Sequence, residues 1–120
     1  MAAIAWRRKP EANNYPAAAS YLNLVYDDAR VRKLVKRLRK ARIARFKAKD
    51  IFRASGLSLL GVSNEHVEKD RKKIRDGKPL SPLLLVRDET HGKVVIADGY
   101  HRLCAVYSFD EDAEIPCQIT

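Results

Sequence analysis

The chain has 120 residues, 46% hydrophobic and 32% charged, the composition of one globular domain, which excludes wholesale disorder. No apolar run approaches the ~18–20 residues of a membrane span, and Arg7, Arg8 and Lys9 follow the short apolar N-terminus instead of preceding it, the reverse of a secretory leader. Two cysteines, Cys104 and Cys117, are too few for a disulfide framework or a four-ligand zinc site, so the expected compartment is the cytoplasm with no membrane partner, and a net charge of +9 points to an anionic partner: nucleic acid, a nucleotide or another phosphate ester.

In chain order, residues 1–15, with Pro10, Asn13 and Asn14, read as a flexible arm, and residues 16–120 as a single domain. Ala18, Tyr21, Leu22 and Val25 recur at helical spacing and predict a helix over Ala17–Tyr26. Asp27 or Asp28 then caps a second helix, the start of a basic segment, residues 27–49. From Arg30 to Lys49 there are eleven Lys or Arg and no acid. Val31, Leu34, Val35 and Leu38 make the apolar face, and Arg32, Lys33, Lys36, Arg37, Arg39 and Lys40 fill the others. Two readings stay open: a solvated amphipathic helix, or a polyanion surface on which Lys33, Lys36, Arg37 and Lys40 meet nucleic-acid phosphates. Phe46 is the only aromatic of the block, so base stacking on a single strand is not indicated.

Ile43–Ala48 alternates, which fits either a short strand or the entry to the next turn. Asp50–Ala54 predicts a short helix stopped by Gly56, followed by a loop to Asn64. Asn64–Asp76 reads as a helix with Val67 and Ile74 inward, ended by Gly77. Leu83–Val86 and Val94–Ile96, joined through the turn Thr90-His91-Gly92, form a hairpin over Leu83–Ala97. Tyr100–Phe109 is helical, an acidic knot follows at Asp110, Glu111, Asp112 and Glu114, and Ile115–Ile119 is a last strand. The fold class is α+β.

The chemistry concentrates at Ile96-Ala97-Asp98-Gly99-Tyr100-His101-Arg102. A buried strand ends, Gly99 permits a tight turn, and a helix begins at once, so free N–H groups and the helix dipole converge on one anion site. Arg102 supplies a guanidinium fork for phosphate, and His101 a donor that titrates near neutral pH. Asp98 is either a plain N-cap or a functional acid. Equally, His101 is a helix residue bonded to backbone, and Arg102 a partner of the acidic knot. The convergence of Gly, His and Arg at one turn favours phosphate binding at Gly99, Tyr100, His101 and Arg102, with Asp98 and His101 as the catalytic candidates.

Residues 64–119 resemble the ParB/sulfiredoxin superfamily, often labelled ParB-like nuclease. The matching pattern is Gly77-Lys78-Pro79, the strand Pro82-Leu83-Leu84-Leu85-Val86, the hairpin, Ala97-Asp98-Gly99-Tyr100-His101-Arg102 and the closing Ile115-Pro116 strand, with the helix Asn64–Ile74 ahead of them. The resemblance implies a small mixed sheet with packed helices, here with a helical N-terminal segment added, and a nucleotide at the turn, a nucleoside triphosphate with Mg being the implied cofactor. Members differ in chemistry: partition proteins bind and hydrolyse CTP, sulfiredoxins use ATP to repair a cysteine sulfinic acid, and others phosphorylate free serine.

Departures prune that range. The sulfiredoxin turn reads Gly-Gly-Cys-His-Arg, but its nucleophile position is Tyr100 here, and a phenol does not replace a thiolate. Cys104, one turn further on, is expected to point elsewhere as a packed core residue, so sulfiredoxin activity is not expected. Partition proteins read Gly-Glu-Arg-Arg and carry a second nucleotide motif and a helix-turn-helix downstream, so centromere recognition of that kind is not expected of residues 1–120. The serine-kinase turn, Asp-Gly-His-Thr-Arg, shares Asp98, Gly99 and Arg102; its catalytic glutamate has no placed counterpart. In sulfiredoxin-like relatives the preceding helix serves the phosphates and ribose. The resemblance carries that role to His66, Lys69 and Lys73, which share a face at i, i+3 and i+7, against their reading as surface charges with a Glu65–Lys69 pair. Arg53 is carried to the same cleft.

Three function classes follow: a nucleotide-binding domain performing hydrolysis or phosphoryl transfer, a nucleic-acid-binding protein or nuclease, and an inactive scaffold. A metal nuclease needs clustered carboxylates, and only Asp98, with Asp50 a distant second, is placed for one. The first class is favoured, with the basic block as its accessory polyanion-facing surface.

Overall fold

A continuous apolar run such as Leu83–Val86 fits a strand covered on both faces, and that strand lies second from one edge of the sheet. The computed structural model describes residues 3–61 and 64–120. Its elements are α1 (Asn14–Leu22), α2 (Asp28–Lys40), β1 (Ile43–Lys47), α3 (Ala48–Ser55), α4 (Glu65–Arg75), β2 (Leu83–Asp88), a 3-10 turn (Glu89–His91), β3 (Lys93–Asp98), α5 (Tyr100–Phe109) and β4 (Glu114–Ile119). The sheet order is β1-β4-β2-β3, with β1/β4 and β2/β3 antiparallel and β2/β4 parallel. The chain is thus an α+β domain with a mixed sheet.

Strand alternation divides the core in two. Leu83, Leu85, Ile96, Ile115 and Cys117 pack with α3, α4 and α5 on one face. Leu84, Val86 and Ala97 pack with Tyr15, Ala18 and Leu22 of α1 and Val31, Leu34 and Leu38 of α2 on the other. Tyr15 donates to Gln118 Oε1 at 2.6 Å, and Gln118 Nε2 donates to Ala41 O at 3.0 Å, so one buried amide on β4 is bonded to both α1 and the end of α2.

α2 is capped by Asp27, which accepts from Arg30 N–H, one of the two caps expected. α3 starts at Ala48, earlier than expected, because the loop before β4 serves its first amides: Ala48 N donates to Ala113 O and Lys49 N to Glu111 O, both at 2.9 Å. Lys49 also pairs with Asp112 at 2.6 Å, and that hydrogen bond holds the Asp112 carboxyl below its ordinary range.

Two expectations are corrected. The first helix runs Asn14–Leu22, not Ala17–Tyr26; Pro16 sits in its first turn, where a missing N–H costs nothing, and Tyr21 and Val25 are exposed. The segment read as a free arm lies against the body in its described part: Leu80 N donates to Ala5 O at 2.9 Å, Arg7 N to Leu80 O at 2.8 Å and Glu11 N to Ser81 Oγ at 3.0 Å. Ile4 and Trp6 pack on the α4–α5 core, and burying apolar area of this kind offsets the entropy of ordering the segment. The expected loop over residues 56–64 includes Val62 and Ser63, which lie outside the described residues.

Candidate functional site

The junction of β3 and α5 is built by a register irregularity and a glycine. Opposite Leu84 and Leu85 of β2 stand Asp98 and Ile96 of β3, so β3 carries one extra residue there. Such a bulge re-aims the side chains that follow it. Asp98 therefore ends the strand, and the position before α5 belongs to Gly99, with φ +110° and no side-chain cap. A Cβ at Gly99 would stand 2.7 Å from Leu83 Cγ and 2.9 Å from Arg102 Nη2. The backbone is folded over Leu83 more tightly than any other residue type allows.

Asp98 is not the plain N-cap, one of its two readings. It does not cap α5; its Oδ2 accepts from Arg102 Nη2 at 3.0 Å across one helical turn, with both side chains mostly buried. The bulge turns the carboxylate to the guanidinium, which explains why it is drawn away from the helix end. Arg102 is thereby corrected as well: it pairs with Asp98, not with the acidic knot, and Nη2 also faces Pro82 O at 3.3 Å. Its Nε is buried with no hydrogen-bond partner among the described residues. A donor left unbonded in the interior costs about 1–3 kcal/mol; Arg71 Nε is a second such donor.

α5 presents its N-terminus at this point. Its ladder opens with Leu103 N donating to Gly99 O at 2.9 Å, so the N–H groups of Tyr100, His101 and Arg102 precede it. The Tyr100 side chain is not turned to that end: its hydroxyl donates to Ser58 O. Burial pushes its phenol up, and neighbouring Cys104 adds to the shift. Cys104 is buried in the core, as expected. It lies beside Tyr100, with its thiol pushed up by burial against the opposing influence of the Leu60 backbone and Tyr100. The i, i+4 spacing of the two residues makes that contact.

α4 supplies the facing wall. Asn64 caps it, accepting from His66 N at 3.0 Å and Val67 N at 3.2 Å. Arg71 ties it to α5 through Ser108 Oγ and lies 4.4 Å from the Phe109 ring centroid. With the two helices so fixed, the His66 and His101 rings approach to 5.0 Å between centroids. Asp70, which sequence reasoning passed over, lies half-buried on α4 in the field of Arg102, Lys73, His101 and Lys69. Burial pushes its carboxyl above the ordinary range, against the pull of Arg102, Lys73, His101 and Lys69. The signal was present: Asp70 falls four residues after His66 and three before Lys73, on the face already singled out. The expected Glu65–Lys69 pair is absent among the described ion pairs; Glu65 approaches His66 at 3.9 Å instead.

Two expected residues lie elsewhere. Arg53, on exposed α3, pairs with Asp50 at 3.2 Å and borders a hollow with Phe52, Leu57, Leu59 and Tyr107. Asp50 itself edges an apolar hollow of about 390 Å³ walled by Ile51, Leu85 and Val94. The four basic residues Lys33, Lys36, Arg37 and Lys40 belong to α2, which packs on the sheet face opposite α4 and α5, so these four do not wall this site.

The donor set suits an anion and does not suit a protein-held Mg²⁺. Of the two carboxylates here, Asp98 is engaged by Arg102 and Asp70 stands among four cationic or imidazole groups. Among the described residues no group of three or more His, Cys, Asp or Glu is placed to hold a metal ion. Protein-family models, curated proteins and solved structures were all compared with the chain, and none matches it.

Proposed function

We propose that the protein binds a phosphate ester, with a nucleotide as the class, in the cleft between α4 and the start of α5. The observation that carries this is the meeting of two elements distant in sequence: His66, Lys69 and Lys73 from one helix stand with His101 and Arg102 from the other, beside the N-terminus of α5. Helix amides and a guanidinium supply directed donors, and the lysines supply charge. The pairing of Arg102 with Asp98, which holds the guanidinium at the turn, supports the same reading. So does the likeness of Asp98–Arg102 to the turn of the ParB/sulfiredoxin superfamily.

The roles differ from residue to residue. Asp98 holds the guanidinium in place and, as a paired carboxylate, is a positioning group. His101 is the group at the turn able to give or take a proton, so hydrolysis or phosphoryl transfer would run through it and not through Asp98. The neutralising charge comes from the protein, and any Mg²⁺ would arrive with the nucleotide's own phosphates.

The test is a thermal-shift panel of nucleoside mono-, di- and triphosphates and inorganic phosphate, each with and without Mg²⁺. A ligand that binds only the folded state raises the midpoint. A rise with a nucleotide that disappears in His66→Gln/His101→Gln supports the reading. No shift with any of them at millimolar concentration refutes it.

A further inference from the structure

The eleven bases between Arg30 and Lys49 are not equivalent once folded. Lys47 and Lys49 both reach Asp112. Arg45 borders a hollow with Trp6, Ile74 and Phe109. On α2 itself, Arg32 pairs with Asp28, Arg30 lies 5.0 Å from the Tyr26 ring centroid and Arg39 4.4 Å from that of Tyr15. Lys33, Lys36, Arg37 and Lys40 are all exposed, and none of them is among the ion pairs of the described residues.

These four share one face. At about 100° per residue they fall within an arc of roughly 100°, and the centre of that arc lies nearly opposite the buried stripe of Val31, Leu34 and Leu38. They span roughly 10 Å along the axis, at ~1.5 Å per residue, a length over which a duplex presents about six phosphate charges at one per ~1.7 Å. We infer that this face of α2 binds the backbone of duplex nucleic acid, independently of the α4–α5 cleft, which lies on the other side of the sheet.

Three observations choose this partner. Tyr15 and Tyr26, the aromatics packed beside the helix, are each covered by an arginine, and the exposed Tyr21 lies away from the four bases, on α1, so the basic face itself offers no ring for stacking on a single strand. No apolar side chain interrupts the four bases, as an interfacial membrane helix would require. The exposed Tyr21, Leu24 and Val25 sit instead at the α1–α2 turn, beside Asp27 and Asp28, whose charge opposes an anionic bilayer. Three lysine point charges beside a single arginine, Arg37, also imply binding with little sequence preference.

The test is fluorescence anisotropy of the full chain with a labelled duplex of about 20 base pairs over a salt series. Four released counterions give a log–log slope near −3.6, about a 150-fold loss of affinity between 50 and 200 mM salt. Lys36→Gln should bring the slope to roughly −2.7 and that loss to about 40-fold. Lys33→Gln/Lys36→Gln/Arg37→Gln/Lys40→Gln should abolish retention, with circular dichroism confirming an intact fold, since all four positions are exposed. Absence of duplex binding at low salt overturns the inference. So does a quadruple variant, folded, that binds as well as the parent, or a parent that prefers anionic vesicles or an acidic peptide over the duplex.

Discussion

Gly99→Ala should be among the most damaging single-methyl substitutions in the chain, for two separable reasons. The backbone there has φ +110°, and the added Cβ would stand 2.7 Å from Leu83 Cγ, a fully buried side chain, and 2.9 Å from Arg102 Nη2. An unfavourable backbone region costs on the order of 1–3 kcal/mol, and overpacking a filled core about 1–3 more. Reduced freedom of the unfolded chain returns roughly 0.4–1 kcal/mol. The expected net loss is about 2–5 kcal/mol, a large share of the ~5–15 kcal/mol typical of a domain. For 120 residues an unfolding entropy of ~2.1 cal/mol/K per residue converts 1 kcal/mol to about 4 °C, so Tm should fall by roughly 8–20 °C. Gly92→Ala is the control, since Gly92 also has positive φ, +63°, but nothing lies within 4 Å of its Cβ position. It carries strain without overpacking and should cost about 1 kcal/mol. Urea melts of the two variants under one condition isolate the packing contribution. A Gly99→Ala loss no larger than that of Gly92→Ala would show that the turn is not held down on Leu83 and refute the reasoning.

Arg102→Lys keeps the charge but loses the fork and the second contact to Pro82 O. Calorimetric titration with the best nucleotide should show about a tenfold or larger weakening, near 1.4 kcal/mol, and unchanged affinity would make Arg102 purely structural. Asp70 is held protonated further up in pH than in the unfolded chain, chiefly by burial. Between its unfolded value, about 3.9, and its raised folded value, the folded state binds the extra proton, so stability falls as pH rises through that window. Asp70→Asn should therefore gain stability relative to the parent as pH rises there, and urea midpoints moving the opposite way would contradict the assignment. Burial pushes the Cys117 thiol to about 12 and raises that of Cys104, so a thiol reagent at pH 8 should label neither in the native protein and both in urea. The same inertness argues against ATP-dependent repair of a sulfinylated peroxiredoxin, and detecting that activity would identify Cys104 as an active thiol.

Elements whose cause is local were readable. The helices over Tyr100–Phe109 and Asn64–Asp76 and the hairpin over Leu83–Ala97 rest on periodicity, Asn64 and the glycines Gly77 and Gly92, and the structure keeps them to within a residue or two. What failed was set by partners far along the chain. α3 begins early because Ala113 O and Glu111 O, some sixty residues on, take its first amides. The first helix ends early because Tyr15, not Val25, completes its buried stripe with Gln118 as partner. The residues before Tyr15 looked free because the main-chain groups of Leu80 that pair with them give no sequence signal.

The same distinction governs the site. Gly99 and Arg102 were legible because a tight strand-to-helix turn demands the one, and phosphate chemistry the other. The extra residue in β3 was not legible, since a bulge depends on how two strands are paired and not on their composition. That single residue decides the chemistry of the turn. With strict register Asp98 is free to cap α5 and compete with a ligand for its amides. With the bulge it turns to Arg102, which leaves the helix N-terminus open and fixes the guanidinium beside it. In the anion site we propose, the Asp98 charge is thereby turned from the ligand to the group that orients it. Asp70, on the other helix, stands in the field of Arg102, Lys73, His101 and Lys69, so in the site we propose the cationic groups outnumber the two carboxylates.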